Sequence, residues 1–227
     1  MTAQRVTFFD TKGNKVMGIL ADPGTAKTIV ILAHGFLSGK DGAKYIALEK
    51  SLNAAGTATL RFDFYAHNDS EGDFEDVTMT RGIDDIMHAI DYARAKGYAR
   101  ISMVGCSFGG ACAIIAASKT SELSALVLIA PVSNYAERDK MVNADALDAW
   151  KKQGYQMRTF WTGAPVRLNY TFVEDYQQYD GYAAAKRITI PTLIIHGDKD
   201  EAVPIAQSQK TASLLAHGKL HIIAGAD

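Results

Sequence analysis

The sequence has few of the features that mark secreted, membrane-spanning or nucleic-acid-binding proteins. Its 227 residues include only two cysteines, Cys106 and Cys112, too few for a disulfide framework or a cysteine-rich metal site. No apolar run approaches the roughly 20 residues of a membrane span, and the N-terminus shows no signal-like apolar segment. Basic and acidic residues nearly balance, at 24 and 25, which disfavours nucleic acid and anionic membranes as partners. We therefore expect a cytoplasmic protein, with both cysteines serving as packing residues.

Short apolar runs recur along the chain, separated by segments with helical periodicity. Runs that are apolar and β-branched over most of their length are typical of strands buried on both faces. The first two runs flank a Lys12-Gly13-Asn14 turn and predict a β-hairpin. The runs are Val6–Phe9, Lys15–Leu20, Thr28–Ala33, Thr57–Phe62, Ile101–Val104, Ala125–Ala130, Thr189–His196 and Leu220–Ile223.

Helices are predicted between most of these runs. One carries Tyr45, Leu48 and Leu52 on one face and stops at Gly56. Another places apolar residues at 83, 86, 87 and 90, the spacing of an amphipathic helix. A further helix is predicted from Pro204 to about His217, with Gly218 as its cap. Strands that alternate with helices indicate an α/β fold, with a mostly parallel sheet covered on both faces.

The most informative stretch is Gly105-Cys106-Ser107-Phe108-Gly109, a G-x-S-x-G motif between a predicted strand and a predicted helix. Such a strand–turn–helix context is what a nucleophile elbow requires. The tight turn presents the Ser107 hydroxyl, and glycines stand where side chains would collide. The Phe108 N–H then lies at a helix N-terminus, where it can stabilise an oxyanion. The alternative is a glycine-rich turn that merely lets the helix pack closely against the sheet.

The segment between Pro131 and Arg187 interrupts the alternation, because it contains no further core strand. Nine of the 21 aromatic residues lie between Trp150 and Tyr182, including both tryptophans. A connection of this length favours a small subdomain over a loop. We predict a lid over the site, with most of its aromatics forming a small core of their own and a minority lining a pocket.

Together with Ser107, two further motifs make the chain resemble the α/β-hydrolase fold: His34-Gly35-Phe36 after the third strand and the run from His196 to Asp200 after the seventh. More narrowly, it resembles bacterial and archaeal serine esterases that include the cinnamoyl (feruloyl) esterases. The resemblance covers nearly the whole chain. It implies a hydrolase core formed by residues 1–131 and 188–227, a lid subdomain at 132–187, and a missing C-terminal helix.

The resemblance also assigns site residues. The acid of a catalytic triad falls on Asp200, in a G-x-x-D turn, with Asp198 as a competitor that we expect to brace the turn. The two oxyanion donors fall on the backbone N–H groups of Phe36 and Phe108, whose side chains are expected to flank the acyl pocket. Serine in the elbow argues against the haloalkane dehalogenase and epoxide hydrolase branches.

Ser107 also needs a general base, since a free hydroxyl is a poor nucleophile at neutral pH. In the resembled family the base is a histidine in a Gly-Ala-Asp-His run, and this sequence ends at Gly225-Ala226-Asp227. Among the six histidines present, only His67 is kept as an outside candidate. We therefore expect the base to lie beyond Asp227, and residues 1–227 alone to bind an acyl group but turn over poorly.

These observations predict a serine carboxylic-ester hydrolase that acts through an acyl-serine intermediate. The resemblance favours aryl or short-to-medium acyl esters, such as hydroxycinnamates. Alternatives are an acylaminoacyl- or prolyl-type serine peptidase, and a non-catalytic binding protein of the same fold. No metal or organic cofactor is indicated. The expected partner is a small-molecule ester, with no nucleic acid or membrane; the sequence does not specify a homo-oligomeric state.

Overall fold

The computed structural model describes residues 2–24, 26–142 and 144–227. Within them, eight strands form one sheet and two more form a separate hairpin. The strands are β1 (Thr2–Phe9), β2 (Lys15–Asp22), β3 (Thr28–Ala33), β4 (Ala58–Phe62), β5 (Arg100–Cys106), β6 (Leu123–Ile129), β7 (Tyr155–Thr159), β8 (Pro165–Asn169), β9 (Thr192–Gly197) and β10 (Gly218–Ile223). The helices are α1 (Ala43–Ala54), α2 (Met79–Ala95), α3 (Phe108–Ala117), α4 (Tyr135–Val142), α5 (Ala144–Gln153), α6 (Thr171–Tyr176), α7 (Gly181–Ala185) and α8 (Ile205–Leu214).

The large sheet runs in the order β1-β2-β4-β3-β5-β6-β9-β10. The N-terminal hairpin is antiparallel, and β2 pairs antiparallel with β4. Every pairing from β4 through β10 is parallel. The predicted hairpin and mostly parallel sheet are therefore confirmed. In such a sheet the carboxyl ends of the parallel strands meet at one edge, which is where ligands bind in open α/β folds.

Alternate residues of the central strands face two apolar layers. Ile31 and Met103 belong to the larger cluster, packed with residues of α2 and α3. Leu32 and Val104 face the opposite side, where they pack with Tyr45 of α1. Strands buried on both faces explain why these segments read as continuous apolar runs.

One predicted boundary is wrong. The last helix, α8, ends at Leu214, and Gly218 is the first residue of β10 rather than a helix cap. Leu215 already has extended backbone angles, φ −76° and ψ 134°. Gly218 then pairs with Thr192, so residues 215–217, predicted as helix, form the connection between α8 and β10.

The segment between β6 and β9 contains α4, α5, the β7–β8 hairpin, α6 and α7. Its aromatic residues do not form a core of their own. Trp150, Phe172 and Tyr176 belong to the same buried cluster as the central strands, and the Phe172 ring lies 5.1 Å from that of Phe36. The expectation of a separate small core is thus wrong, because the segment lies directly on the loops at the carboxyl edge of the sheet.

The tip of the β7–β8 hairpin is hydrogen-bonded to loops of the main sheet. The Trp161 N–H donates to the Leu37 carbonyl at 3.1 Å. The indole Nε1–H of the same residue donates to the Asn68 side chain, also at 3.1 Å. The hairpin is therefore held over the loop that follows β3.

Candidate active site

Ser107 is the single residue between β5 and α3, and its backbone is strained. Its φ is 51° and its ψ is −110°, a conformation that costs a non-glycine residue about 1–3 kcal/mol. Neighbouring backbone holds it there: the Ser107 N–H donates to the Ile129 carbonyl at 2.9 Å, and the Val132 N–H donates to the Ser107 carbonyl at 3.2 Å. The side chain remains partly exposed. This is the geometry of a nucleophile elbow, with the hydroxyl presented above the sheet.

The two glycines of the motif are required by close backbone contacts. A Cβ on Gly105 would lie 2.6 Å from the Gly109 carbonyl oxygen. A Cβ on Gly109 would lie 2.5 Å from the carbonyl oxygens of both Ala33 and His34. Since backbone cannot yield as a flexible side chain can, a larger residue at Gly105 would push α3 away from β5, and one at Gly109 would push α3 away from the end of β3.

The loop after β3 lies directly against the nucleophile, since a Cβ on Gly35 would be 3.5 Å from Ser107 Cβ. The Gly35 carbonyl accepts hydrogen bonds from His34 Nδ1–H at 2.8 Å and from the Ser38 N–H at 3.2 Å. In a trans peptide the N–H points opposite to the carbonyl, so the Phe36 N–H points away from His34. Among the described residues nothing accepts a hydrogen bond from it.

The second predicted donor is the Phe108 N–H. Phe108 is the first residue of α3, and the first N–H groups of a helix have no partner within the helix. The positive end of the helix dipole lies at the same place. The N–H groups of Phe36 and Phe108 are therefore both free to serve an oxyanion beside Ser107.

His34 is a structural brace and not a base. Its Nε2 accepts the Phe64 N–H at 3.1 Å, so the proton lies on Nδ1, which bonds the Gly35 carbonyl. The ring is fully buried, and this burial lowers the pKa of His34 to about 4. The neutral imidazole thereby joins the loop after β3 to the segment after β4 and sets the orientation of the Gly35–Phe36 peptide.

A buried ion pair anchors the far end of the same loop. Lys40 is 3% exposed, and its Nζ donates to Asp63 at 2.7 Å and to Asp69 at 2.8 Å. The Lys40 N–H also donates to Asp63, at 2.8 Å. Burial opposes the shift, but the hydrogen bonds that Lys40 donates to these carboxylates raise the pKa of Lys40 to about 12. The loop after β3 is thus held at both ends. Donors that stabilise a developing charge must be fixed in place in this way before the reaction.

Ser107 opens into a cavity of about 320 Å³. Its wall contains the Phe36 side chain and three other aromatics, Tyr135, Trp150 and Phe172. The Phe108 side chain is not part of this wall, contrary to expectation. It is completely buried, and its ring packs so closely on α2 that a Cβ on Gly82 would lie 2.8 Å from it.

The predicted acid, Asp200, lies in the turn after β9. Its Oδ1 accepts the N–H groups of Ala202 and Val203, both at 2.8 Å, and these two residues line the cavity. The competitor, Asp198, instead accepts the Gly225 N–H at 2.6 Å. Asp198 therefore joins the turn to the residues after β10, whereas the turn positions Asp200 beside the cavity.

The structure brings no imidazole to the nucleophile: among the described residues, none is hydrogen-bonded to the Ser107 hydroxyl. His196 is occupied by Ser208 at 2.7 Å and by the Val203 carbonyl at 3.0 Å. His67 donates to the Tyr65 carbonyl, and its Nε2 is buried without a partner. Burial lowers the pKa of His67 to about 3, which makes it a poor proton acceptor.

Sequence reasoning missed the charged part of the cavity. Arg138, Asp139 and Arg158 line it together with the aromatics. The sequence of β7 carried no signal for this, because Gln156 and Arg158 alternate with the apolar Met157, a pattern that favours exposure of the polar side chains. In the structure Met157 is exposed and Arg158 is partly covered.

No helix of the described residues is long and apolar enough to cross a membrane. Within the same ranges, no group of three or more histidine, cysteine or acidic side chains is placed to hold a metal ion. Both cysteines are free and buried.

Comparison with known proteins decides the family. Residues 64–223, more than half of the chain, match the prolyl oligopeptidase family, Peptidase_S9. The chain belongs to this family. The match spans the elbow and the Asp200 turn, and it agrees with the α/β-hydrolase fold predicted from the three motifs.

The chain is also similar to solved structures and to curated proteins. Est1E from Butyrivibrio proteoclasticus, solved with ferulic acid bound, has a TM-score of 0.82 and 28% identity, covering 97% of this chain and 89% of that one. The palmitoyl-protein thioesterase ABHD10, mitochondrial, of Mus musculus is 26% identical over 203 residues, 86% of this chain. The chain matches 66% of that relative's length, a little under two thirds. The predicted resemblance to α/β-hydrolase esterases is confirmed.

Proposed function

We propose that this chain is a serine hydrolase that cleaves carboxylic esters through an acyl-serine intermediate. The observation that carries the proposal is the partly exposed Ser107 hydroxyl, held at φ 51° at the end of a cavity of about 320 Å³. Two N–H groups without acceptors among the described residues stand beside it. Fixed donors of this kind contribute roughly 10²- to 10³-fold each to kcat in known oxyanion holes.

The chemistry follows from these positions. Ser107 Oγ attacks the ester carbonyl carbon, its proton passes to a general base, and the carbonyl oxygen takes the negative charge toward the N–H groups of Phe36 and Phe108. The C–O bond to the alcohol then breaks, and the alcohol leaves with the proton from the base. A water molecule then attacks the acyl-serine carbonyl and gives its proton to the base. The bond to Ser107 Oγ breaks, Oγ takes that proton back, and the acid is released. Asp200 orients the base and stabilises its imidazolium form.

The substrate class proposed is an aryl or short-to-medium acyl ester, for which a hydroxycinnamate is a suitable example. The aromatic wall formed by Tyr135, Trp150 and Phe172 supports this choice, as does the similarity to a protein solved with ferulic acid. The cavity is at the small end of the range of about 300–1,000 Å³ typical of ligand sites. A thioester, as in the name of the curated relatives, would undergo the same attack with a thiol as leaving group.

Membership of the prolyl oligopeptidase family supports a second candidate, an aminoacyl peptidase. The two functions are separated by measuring hydrolysis of 4-nitrophenyl esters and aminoacyl 4-nitroanilides by the natural protein, with any residues that follow Asp227. The esterase proposal expects kcat/KM for the best ester to exceed that for the best anilide by at least about 10³-fold. Comparable values would favour the peptidase. Absence of both activities, and of labelling by a fluorophosphonate, would favour a binding protein.

The assignment of the acid gives a mutational prediction. Asp200→Asn is expected to lower kcat for 4-nitrophenyl esters by about 10⁴-fold, because the amide no longer stabilises an imidazolium. Asp198→Asn is the matched control, since it changes the same group two residues away. It should cost activity less than about tenfold and act through stability, by weakening the bond to the Gly225 N–H. The reverse order of effects in parallel assays would assign the acid to Asp198.

The remaining expectations stay predictions. They are a cytoplasmic location, a small-molecule partner, the absence of nucleic-acid and membrane partners, and the division into a core at 1–131 and 188–227 with a lid at 132–187. The curated relatives carry the word mitochondrial in their names, so location is best determined by fractionation of cells that express the natural protein.

A further inference from the structure

Three charged side chains line the same cavity as Ser107: two arginines, Arg138 and Arg158, and one carboxylate, Asp139. Charge is uncommon in an otherwise aromatic pocket, because removing a charged group from water is costly unless a partner compensates it. The partners of each group therefore indicate what the cavity is built to hold.

Arg138 and Asp139 compensate each other. Arg138 Nη1 donates to Asp139 Oδ1 at 3.1 Å, and Arg138 Nε donates to the Ala202 carbonyl at 3.1 Å. The other oxygen of Asp139 accepts the Tyr176 hydroxyl at 2.5 Å. This pair is close to neutral, and its donors and acceptors are largely used within the protein.

Arg158 has no such partner among the described residues. It lies on the covered face of β7, and its Nε is buried without any hydrogen-bond acceptor. No carboxylate of the described residues lies within 4.0 Å of its guanidinium; the contact present is with the Trp150 ring, 5.7 Å away. Burial, together with the charge of Arg138, lowers the pKa of Arg158 from its ordinary value. Among the described residues, the Arg158 guanidinium therefore has no anionic partner.

We propose that Arg158 binds a carboxylate on the substrate, so that the preferred substrates are esters whose part held in this cavity carries a negative charge. A guanidinium offers a planar fork of donors that matches a carboxylate in two parallel hydrogen bonds. The inference rests on the proposed ester hydrolysis at Ser107 and narrows its substrate class. The carboxylate belongs either to the acyl part or to the alcohol part of the ester, and the test below separates the two.

The kinetic test uses the natural protein and two matched pairs of esters. One pair places the charge on the acyl part, mono(4-nitrophenyl) adipate against 4-nitrophenyl hexanoate. The other places it on the alcohol part, 4-acetoxybenzoate against 4-acetoxybenzamide. For one pair, kcat/KM for the charged ester is expected to exceed that for its neutral counterpart by at least about tenfold. Arg158→Gln is expected to reduce this ratio by about 10- to 100-fold, the usual worth of hydrogen bonds to a charged group.

The control is Arg167→Gln on the partner strand of the same hairpin. Arg167 is exposed and paired with Glu75 at 3.2 Å, so its loss should leave the ratio unchanged. Both esters of a pair are assayed with the same protein preparation. An unfolded fraction of a variant therefore lowers both values of kcat/KM by the same factor and leaves their ratio unchanged. A ratio near one for both pairs in the wild type, or one that Arg158→Gln does not change, overturns the inference.

A binding measurement separates this inference from the proposed function. In the Ser107→Ala protein, tryptophan fluorescence is titrated with the anilide counterparts of both pairs: adipanilic acid against hexananilide, and 4-acetamidobenzoate against 4-acetamidobenzamide. The anion site is supported if the carboxylate compound of a pair binds more tightly than its neutral counterpart, and if this difference is lost when Arg158→Gln is added to Ser107→Ala. This outcome supports the anion site even if the natural protein hydrolyses no ester. Ester hydrolysis without any such discrimination leaves the proposed function standing and refutes the anion site.

Discussion

Ser107→Ala, in the natural protein, is expected to lower kcat for 4-nitrophenyl esters by about 10⁶-fold, the scale on which removal of a triad serine acts in known hydrolases. The substitution removes the atom that forms the acyl bond. Because that hydroxyl has no hydrogen-bond partner among the described residues, and alanine keeps the same strained backbone, the free energy of unfolding should change by less than about 1 kcal/mol. Initial rates, fluorophosphonate labelling and thermal unfolding measure the three effects.

Ser118→Ala is the matched control for this prediction. Ser118 stands at the opposite end of α3, where its hydroxyl donates to the Ile115 carbonyl at 2.8 Å. Its rate and labelling should equal those of the wild type. If the Ser107→Ala protein retained labelling, or a rate within tenfold of the wild type, Ser107 would not be the nucleophile.

The second large effect concerns the base. Residues 1–227 alone are expected to hydrolyse the same esters about 10⁴- to 10⁶-fold more slowly than the natural protein with any residues that follow Asp227, because a triad without its histidine loses that much. The reason is the placement of the histidines: the ring nitrogens of His34 and His196 are occupied, and His67 is buried beside Phe36 with a pKa of about 3. None of these three histidines is therefore placed to act as the base.

Three exposed or partly exposed histidines serve as controls for the base. His88 lies on α2 beside Asp84, His217 immediately precedes β10, and His221 lies within β10. Their replacement by glutamine in the natural protein should leave kcat within about threefold. Circular dichroism of residues 1–227 establishes that the chain is folded before rates are compared. Equal rates would show that the base is present in this sequence.

The elbow could be predicted from the sequence because its requirements are local. A buried strand, a buried helix and glycines two residues on either side of Ser107 leave a backbone few ways to connect them. The backbone contacts that exclude a Cβ at Gly105 and Gly109 come from the same turn and from β3, its neighbour in the sheet. The role expected of His34-Gly35-Phe36 came instead from the family resemblance, and the pairing of β3 with β5 is what brings this loop to Ser107.

Other features depended on contacts between distant segments. Pro204 and Gly218 predicted that α8 would reach His217, but the helix ends at Leu214, and Gly218 pairs with Thr192 as the first residue of β10. The Phe108 side chain was expected in the pocket, yet the space beside Gly82 takes it into the core. The aromatics of the inserted segment were expected to form a core of their own, but Phe172 packs on Phe36 and Phe108 as well as on aromatics of that segment.

Sequence alone determined the α/β architecture and the elbow, because hydrophobic period and glycine spacing act over a few residues at a time; the family resemblance added Asp200. Only the tertiary structure decided which side chains share the space above Ser107. Arg138, Asp139 and Arg158 come from α4 and β7 and line the same cavity as Ser107, and the hairpin that carries Arg158 is fastened to the loop after β3. Whether a buried charge has a partner is a property of the folded chain, since it depends on distances that no local pattern encodes.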